Sequence, residues 1–271
     1  LSGDPVTVRA KLVVNAAGPF AEELLVGAGL RQRRDIPLSR DLAVVIRRLW
    51  EPDMALAVQT KYRDPDAVLS RGNRHLFMVP WRDHTLIGVN SKVYSGVPSE
   101  LAVTEGEVQG FVDEINDAHP DLGIRLEDVS VVNAGLLPFG ENASEATDLS
   151  FGKRSVVIDH ADNGGPEGLV TVMSVRYTTG RSAAQTAVDL AVGRLGMRAR
   201  RCSTTTSPAY GGDFRDFEGL LVEARRRCPA TIDDTVVRQL CHNYGSRYSR
   251  ILELVENDPS LGRTLGESSV L

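Results

Sequence analysis

The chain has 271 residues, of which 42% are hydrophobic and 25% charged, a globular composition that disfavours disorder or a fibre. Its 31 Lys and Arg residues against 36 Asp and Glu residues give a formal net charge of −5, so no nucleic-acid partner is expected. Three widely spaced cysteines without a C-x-x-C pair argue against a disulfide framework or a zinc site and favour a reducing, cytoplasmic compartment.

The first predicted unit is a strand, a turn and a helix. Residues 6–15 predict a strand that ends in the apolar run Leu12-Val13-Val14, as in a parallel strand buried on both faces. Ala16-Ala17-Gly18-Pro19 then supplies small residues where the strand gives way to a helix, and Pro19 suits a first helical turn. The sequence starts without a Met a few residues before this strand. We therefore expect it to be part of a longer protein.

Short strand patterns follow between residues 36 and 150, separated by turn-rich stretches, at residues 42–46, 75–79, 85–89 and 129–133. They predict an antiparallel sheet. One helix interrupts the sheet, and its apolar positions recur at helical spacing: Val108, Phe111, Val112 and Ile115. Thr104 and Glu107 form a capping box at its start. We expect this helix to cover one side of the sheet.

The strand-turn-helix pattern returns after residue 150, with strands predicted at residues 156–158 and 169–173. A helical stripe follows at Ala184, Ala187, Val188, Ala191 and Leu195. After Pro208 two further helical stripes occur, one at Val236, Val237, Leu240, Cys241 and Tyr244, the other at Tyr248, Ile251, Leu252 and Val255. The order predicts one α/β domain interrupted by an antiparallel domain, although the interrupting part could also be an independent fold.

Two turns are candidate ligand sites, because ligands of open α/β sheets lie beyond the carboxyl ends of strands, near helix N-termini. The first is Asn15 to Gly18, which could equally be a small-residue turn that packs strand on helix. The second is Ser174 to Arg181, whose alternative is a helix capped by Thr178 or Thr179 with both arginines in solvent. Gly27-Ala28-Gly29 lacks the third glycine and the context of a dinucleotide fingerprint. The histidines have no H-x-x-x-H pair, so no metal site is predicted.

Five segments, in order along nearly the whole chain, resemble the FAD-dependent glycerol-3-phosphate dehydrogenases of the D-amino-acid-oxidase-like superfamily. Residues 13–20, VVNAAGPF, are similar to that family's VVNAAGPW segment. Val79-Pro80-Trp81, Leu86-Ile87-Gly88 and Tyr94-Ser95-Gly96 are similar to its IPW, LIGTTD and DYxG stretch. Residues 134–138, AGLLP, lie where the family has A-G-L-R-P. Residues 175–181 resemble its GGKLTTYR turn, and residues 210–213 and 244–247 resemble parts of its C-terminal helical domain.

The resemblance implies a mixed α/β and α+β fold in three parts. Residues 1–35 and 151–200 would be the remaining parts of a Rossmann-like FAD-binding domain. Residues 36–150 would form an antiparallel substrate-binding domain, and residues 208–271 an incomplete helical domain.

The implied activity is hydride transfer from a hydroxyl-bearing carbon of a glycerol phosphate to FAD, with quinone or oxygen as the electron acceptor. Arg176 stands where the family has a lysine that binds the substrate phosphate, so it is the implied catalytic residue. The implied cofactor-binding residues lie in the two turns: Ala16, Ala17, Gly18, Val175, Tyr177, Thr178 and Thr179. Peripheral association with the inner membrane and a homodimer stay open.

Several positions depart from the family pattern. The arginine of A-G-L-R-P is Leu137, the histidine expected within residues 38–45 is Ala43, and the two glycines before the family's lysine are Ser174 and Val175. The family's G-x-G-x-x-G unit is not found in this sequence. Two alternatives therefore stay open: a flavin enzyme for another hydroxy acid or amine, and a non-catalytic fragment. We expect the chain by itself to be inactive.

Overall fold

The computed structural model describes residues 3, 6–30, 38–50, 54–61, 73–138, 155–198, 200–266 and 270. The chain divides into two compact units, Leu1–Ala199 and Arg200–Leu271. In the described part of the chain, no helix combines the length and the apolar character needed to span a bilayer.

The described residues of the first unit form two sheets and three α-helices. Its strands are β1 (Val13–Asn15), β2 (Leu38–Arg47), β3 (Leu56–Gln59), β4 (His75–Trp81), β5 (His84–Tyr94), β6 (Val129–Pro138), β7 (Val156–Asp159) and β8 (Leu169–Met173). Its helices are α1 (Ala21–Gly27), α2 (Glu105–Ala118) and α3 (Tyr177–Arg194). Short 3-10 turns at Gly18–Phe20 and Pro98–Glu100 follow β1 and β5, respectively.

The smaller sheet has the strand order β1-β8-β7, with β1 parallel to β8 and β8 antiparallel to β7. The predicted strand over residues 6–15 is wrong for residues 6–12, because only Val13–Asn15 form a strand. Their partner β8 begins at Leu169, opposite Val13. Gly168, just before β8, has a φ of +78°, and its carbonyl accepts a hydrogen bond from the Val13 amide at 2.7 Å. The hydrogen-bonded pairing of β1 with β8 therefore starts at Val13. The length of β1 is set by its partner strand and not by its own apolar sequence.

The larger sheet is antiparallel, with the order β3-β4-β5-β2-β6. Helix α2 covers one of its faces, as predicted, and all four predicted apolar positions of the helix are buried. They pack against alternate residues of the central strands: Leu42, Val44, Ile46, Leu76, Met78 and Ile87. The capping box of Thr104 and Glu107 is confirmed.

The side chains that point away from α2 form the second face of this sheet. On β2 they include Ser39, Asp41, Ala43 and Val45, which alternate with the residues that contact α2. Register places Ser91 of β5 opposite Asp41, and Leu137 of β6 opposite Ser39. Because directly opposite residues of antiparallel strands share a face, Asp41, Ala43 and Leu137 lie on the second face together.

Helix α3 contacts β7 and β8, but the stripe predicted for it is partly wrong. Ala183 and Ala187 are the buried residues of α3, whereas Val188 is 58% exposed. Ala184 is exposed as well. The sequence of α3 is rich in alanine and has small residues on several sides of the helix. The spacing of its apolar residues therefore does not determine which side faces the sheet.

The second unit is helical, with α4 (Phe217–Arg227), α5 (Asp234–Tyr244) and α6 (Tyr248–Asn257). Its core includes Leu221, Val237, Leu240, Tyr248 and Leu252. The predicted stripes of α5 and α6 are buried, apart from the half-buried Ile251 and the exposed Tyr244 at the end of α5. The predicted fold class is therefore confirmed: an α/β arrangement, an antiparallel sheet between its parts and a helical region at the end. The domain boundaries at residues 35, 150 and 208 stay predictions.

Candidate functional site

The two predicted turns lie next to each other at one edge of the smaller sheet. Strands β1 and β8 run in parallel, with Asn15 opposite Thr171. Both strands therefore end at the same edge, where Ala16 to Gly18 follows β1 and Ser174 to Tyr177 follows β8. This is the edge at which open α/β sheets bind their ligands.

The side chain of Asn15 fixes the first turn. It is 2% exposed, and its Nδ2 donates to the Ala21 carbonyl at 2.9 Å. Its Oδ1 accepts from the Ala17 amide at 3.2 Å. The buried amide thus joins the start of the turn to the first residue of α1, and replacing it would leave buried polar groups without partners.

The first turn exposes backbone and small side chains. Ala16 is exposed, whereas Ala17 and Gly18 are half-buried. Gly18 has a φ of +58°, a left-handed conformation that favours glycine. A flat ligand could therefore approach the backbone of this turn closely.

The second turn begins α3 in a way that the sequence did not predict. The N-cap residue is Arg176, with extended backbone and no side-chain cap, so the predicted caps Thr178 and Thr179 lie inside the first helical turn. The Thr179 hydroxyl donates to the Arg176 carbonyl at 3.0 Å. That contact engages the Thr179 hydroxyl within the turn, and the side chain of the N-cap residue Arg176 does not cap the helix. The first-turn N–H groups of an α-helix have no partner within the helix.

Three hydroxyl groups brace this second turn. Ser155 Oγ donates to Ser174 Oγ at 3.1 Å, and Ser174 Oγ lies 3.2 Å from Thr179 Oγ1. Since Thr179 donates to the Arg176 carbonyl, it accepts from Ser174. The chain of hydrogen bonds links the residue before β7, the end of β8 and the start of α3. Ser155 was not identified from the sequence, because no local pattern places it beside a residue nineteen positions away.

The remaining predicted residues differ in exposure. Val175 is half-buried, whereas Arg176, Tyr177 and Thr178 are exposed. Arg181 lies one turn further along α3, where its guanidinium donates to Gln185 Oε1 at 2.9 Å. The exposed positions at the start of an 18-residue helix therefore combine a cation, an aromatic ring and the positive end of a helix dipole.

One end of the larger sheet lies near the first turn. Residues of Gly18–Phe20 contact strand β6 and the turn Pro98–Glu100. That turn follows β5, whose last residue, Tyr94, lies opposite Leu38 at the start of β2. The end of the sheet that carries Ser39 and Leu137 is thus the end nearest to the first turn.

Asp41 is a charged residue of β2 on this second face, and the sequence did not single it out. Its Oδ1 accepts from Ser39 Oγ at 2.7 Å, and Ser91 lies directly opposite. Burial raises the pKa of the Asp41 carboxyl, against the lowering effect of the two serines and of Arg74. The signal available in the sequence was the polar Ser39-Arg40-Asp41 start of an otherwise apolar strand.

Comparison with known proteins places the chain in a family. Residues 2–190 match the family described as FAD dependent oxidoreductase. The aerobic glycerol-3-phosphate dehydrogenases of Staphylococcus aureus strains USA300 and NCTC 8325 are each 25% identical over 265 residues, which are 94% of this chain and 45% of theirs.

The solved structure of glycerol-3-phosphate dehydrogenase from Bacillus halodurans, complexed with FAD, superposes with a TM-score of 0.71 at 23% identity. The match covers 94% of this chain and 49% of that one, and it establishes the similarity of fold. The chain spans about half the length of the curated relatives it matches. Taken with the two turns at one sheet edge, the match over residues 2–190 shows that the chain belongs to the family of FAD-dependent oxidoreductases.

Proposed function

We propose that this chain carries the donor-binding face and the flavin-facing turns of a dehydrogenase similar to glycerol-3-phosphate dehydrogenase. The observation that carries the proposal is the parallel pairing of β1 with β8, which brings Ala16–Gly18 and Ser174–Thr179 to one edge. The second face of the larger sheet would receive the donor, because its end lies near the first of these turns. FAD, when bound, accepts a hydride at the flavin ring and passes its electrons to quinone or oxygen.

The residues of the two turns fit a flat, electron-accepting ring. Ala16, Ala17 and Gly18 present little side-chain bulk, so the ring could lie against their backbone. Tyr177 and Thr178 present first-turn N–H groups of α3 without a side-chain cap. These donors, together with the helix dipole, would stabilise negative charge on the ring after reduction. Val175 and Thr179, both half-buried, would hold the turn in place.

Arg176 would bind the negative group of the donor. Its side chain is exposed at the mouth of α3, and a guanidinium can form two parallel hydrogen bonds to a phosphate or carboxylate. Substrate binding in a site that excludes water strengthens such a pair relative to one at an open surface.

A different donor is the second candidate, and the composition of the second face favours it. Leu137 and Ala43 share that face and offer neither a charge nor a side-chain hydrogen bond. A phosphate that loses one charged hydrogen bond binds about 1.5–3 kcal/mol more weakly. A hydroxy acid or an amine would not need that contact. A binding protein without catalysis is the third candidate.

The substitution Leu137→Arg tests the donor face. We expect the chain to be inactive unless FAD is supplied. With FAD added in excess, we expect glycerol-3-phosphate to reduce the flavin slowly, and we expect Leu137→Arg to lower the KM for glycerol-3-phosphate by about tenfold, since a charged hydrogen bond is gained. Steady-state kinetics with glycerol as a neutral donor provide the control. An unchanged KM for glycerol-3-phosphate in Leu137→Arg would place this residue outside the pocket.

A further inference from the structure

We propose that Asp41 is a specificity-determining residue, and that it selects a donor with a positively charged ammonium group over one with a phosphate. The inference rests on the proposed function, because it takes the second face of the larger sheet as the donor face. The inference concerns the charge of the donor molecule. The similarity of this chain to other proteins does not determine that charge.

The position of Asp41 is set by the backbone of three strands. It lies on β2 two residues from Ser39 and two residues from Ala43, on the face that α2 does not cover. Ser91 stands opposite it on β5, and Gly135 stands opposite it on β6. The glycine brings no side chain to this face. Asp41 is therefore the carboxylate that a ligand on this part of the face would meet.

Serine hydroxyls hold the carboxyl of Asp41 in place, and two nearby arginines form ion pairs with carboxylates of α2. Ser39 donates to Oδ1 at 2.7 Å, which orients the group. Arg74 exerts a favourable charge effect on Asp41, but its guanidinium is paired with Glu114 of α2 at 3.0 Å, and both side chains are 9% exposed. Arg40, the residue before Asp41 on β2, pairs with Glu107 of α2. Arg40 and Arg74 thus each pair with a carboxylate of α2.

A half-buried carboxylate of this kind repels a second anion and gains from a cation. Burial has removed part of its hydration, and for this reason its pKa is raised. An ammonium ion bound beside it would replace the lost hydration with a charge-assisted hydrogen bond. A phosphate in the same place would add charge repulsion, and Leu137 on the same face offers no cation to offset it.

Three probes of related shape and different charge test the proposal: 1-amino-2-propanol, 1,2-propanediol and glycerol-3-phosphate. Their binding is measured by calorimetry on the 271-residue chain with FAD in excess. We expect Asp41→Asn, which keeps the size and the contact with Ser39, to weaken binding of the amine by about tenfold or more. Binding of the diol should stay unchanged, and binding of the phosphate should tighten. The matched control is Asp121→Asn, at an exposed carboxyl in the turn after α2, and it should change none of the three.

A second measurement uses only the wild-type chain, so its outcome does not depend on whether a variant folds. In the wild-type chain, the side-chain carboxyl of Asp41 is followed by NMR through an acid titration. Saturating 1-amino-2-propanol should lower the titration midpoint of Asp41, and 1,2-propanediol should not.

The proposal is overturned if Asp41→Asn changes all three affinities equally, if none of the probes binds, or if the amine leaves the midpoint in place. Failure of the proposed function looks different. FAD would then fail to bind in every variant, or Leu137→Arg would leave glycerol-3-phosphate unaffected, whereas the amine would still shift the Asp41 titration.

Discussion

Arg176 combines a backbone that fixes the start of α3 with an exposed, positively charged side chain. Its carbonyl accepts hydrogen bonds from both the amide and the hydroxyl of Thr179, which fixes the start of α3. Its side chain is exposed and leaves the helix at the N-terminal end. The structural task belongs to the backbone, so the side chain can be changed without disturbing the turn.

Arg176→Met should therefore impair binding of an anionic donor while leaving the fold intact. Loss of an exposed side chain typically changes the free energy of unfolding by no more than ~0.5 kcal/mol, whereas loss of a charge-assisted contact to the donor should raise KM about tenfold. Steady-state kinetics with glycerol-3-phosphate and glycerol, alongside urea denaturation, separate these effects.

Arg181→Met is the matched control for this substitution. It removes a cation from the same helix, one turn further along, where the guanidinium contacts Gln185. We expect its KM values to match those of the wild type. If Arg176→Met raised the KM for glycerol-3-phosphate and for glycerol equally, Arg176 would not bind the anionic group of the donor. Its role would then be to stabilise the helix or to interact with the flavin.

At the residue scale, the sequence predicted the two turns but not the hydrogen bonds that hold them in place. The small residues after β1 and the hydroxyls after β8 were recognisable, because turn chemistry is local. The brace from Asn15 to Ala21 and the contact of Ser155 with Ser174 were not. Both depend on the path of the chain between the partners, which no residue pattern records.

At the scale of elements, the accuracy of prediction follows the range of the interactions. Helix α2 was predicted correctly because its cap and its apolar stripe lie within the helix itself. Strand β1 was predicted too long because its length depends on β8, more than 150 residues away in the chain. The shared face of Asp41, Ala43 and Leu137 follows from the register of β2 with β5 and β6, which the sequence of each strand leaves open.

Glu107 gives α2 a stability that depends on pH. Its carboxylate accepts from the Thr104 amide at 2.9 Å and also pairs with Arg40. The backbone hydrogen bond, followed by the contact with Arg40, lowers the pKa of Glu107 from 4.5 to about 2. Because the folded state holds the ionised form, the stabilisation is fully present above pH 4.5 and is lost as the pH falls towards 2.

Glu107→Gln should therefore lower the free energy of unfolding at pH 7 by about 1 kcal/mol, the usual value of a capping contact. The difference from the wild type should shrink as the pH is lowered through the acid range. Urea denaturation at pH values between 7 and 3 measures it. Glu105→Gln, at an exposed position in the same helical turn, should show a smaller difference. A gap between wild type and Glu107→Gln that is constant with pH would contradict the role given to the charge.

At the scale of the whole molecule, the smaller sheet is assembled from the two ends of the first unit. Strand β1 precedes the larger sheet in the chain, and β7 and β8 follow it. The two turns, Ala16 to Gly18 and Ser174 to Arg181, therefore come from segments separated by the entire antiparallel sheet. This arrangement places the second face of the larger sheet and both turns in one unit, and residues 200–271 have a core of their own.

The sequence contains no recognisable motif for binding the pyrophosphate of FAD. Flavin cofactors with a pyrophosphate normally rest it on the N-terminus of a helix that follows a glycine-rich turn. This sequence contains no G-x-G-x-x-G motif. Gly27 and Gly29 lie at the C-terminal end of α1, where the helix dipole is negative and repels phosphate.

We therefore predict that the 271-residue chain binds the flavin ring, and that the pyrophosphate and adenosine of FAD add little to the binding affinity. Protein mixed with FAD and passed through gel filtration should emerge colourless. In fluorescence titrations, FAD and riboflavin should bind with affinities within about tenfold of each other, since a phosphate held by a helix N-terminus would add charge-assisted hydrogen bonds that separate them by more. Riboflavin is the control here, because it carries the same ring without the pyrophosphate. Stoichiometric yellow flavin in the eluted protein, or FAD binding a hundredfold tighter than riboflavin, would show that the described turns, or residues beyond them, hold the pyrophosphate after all.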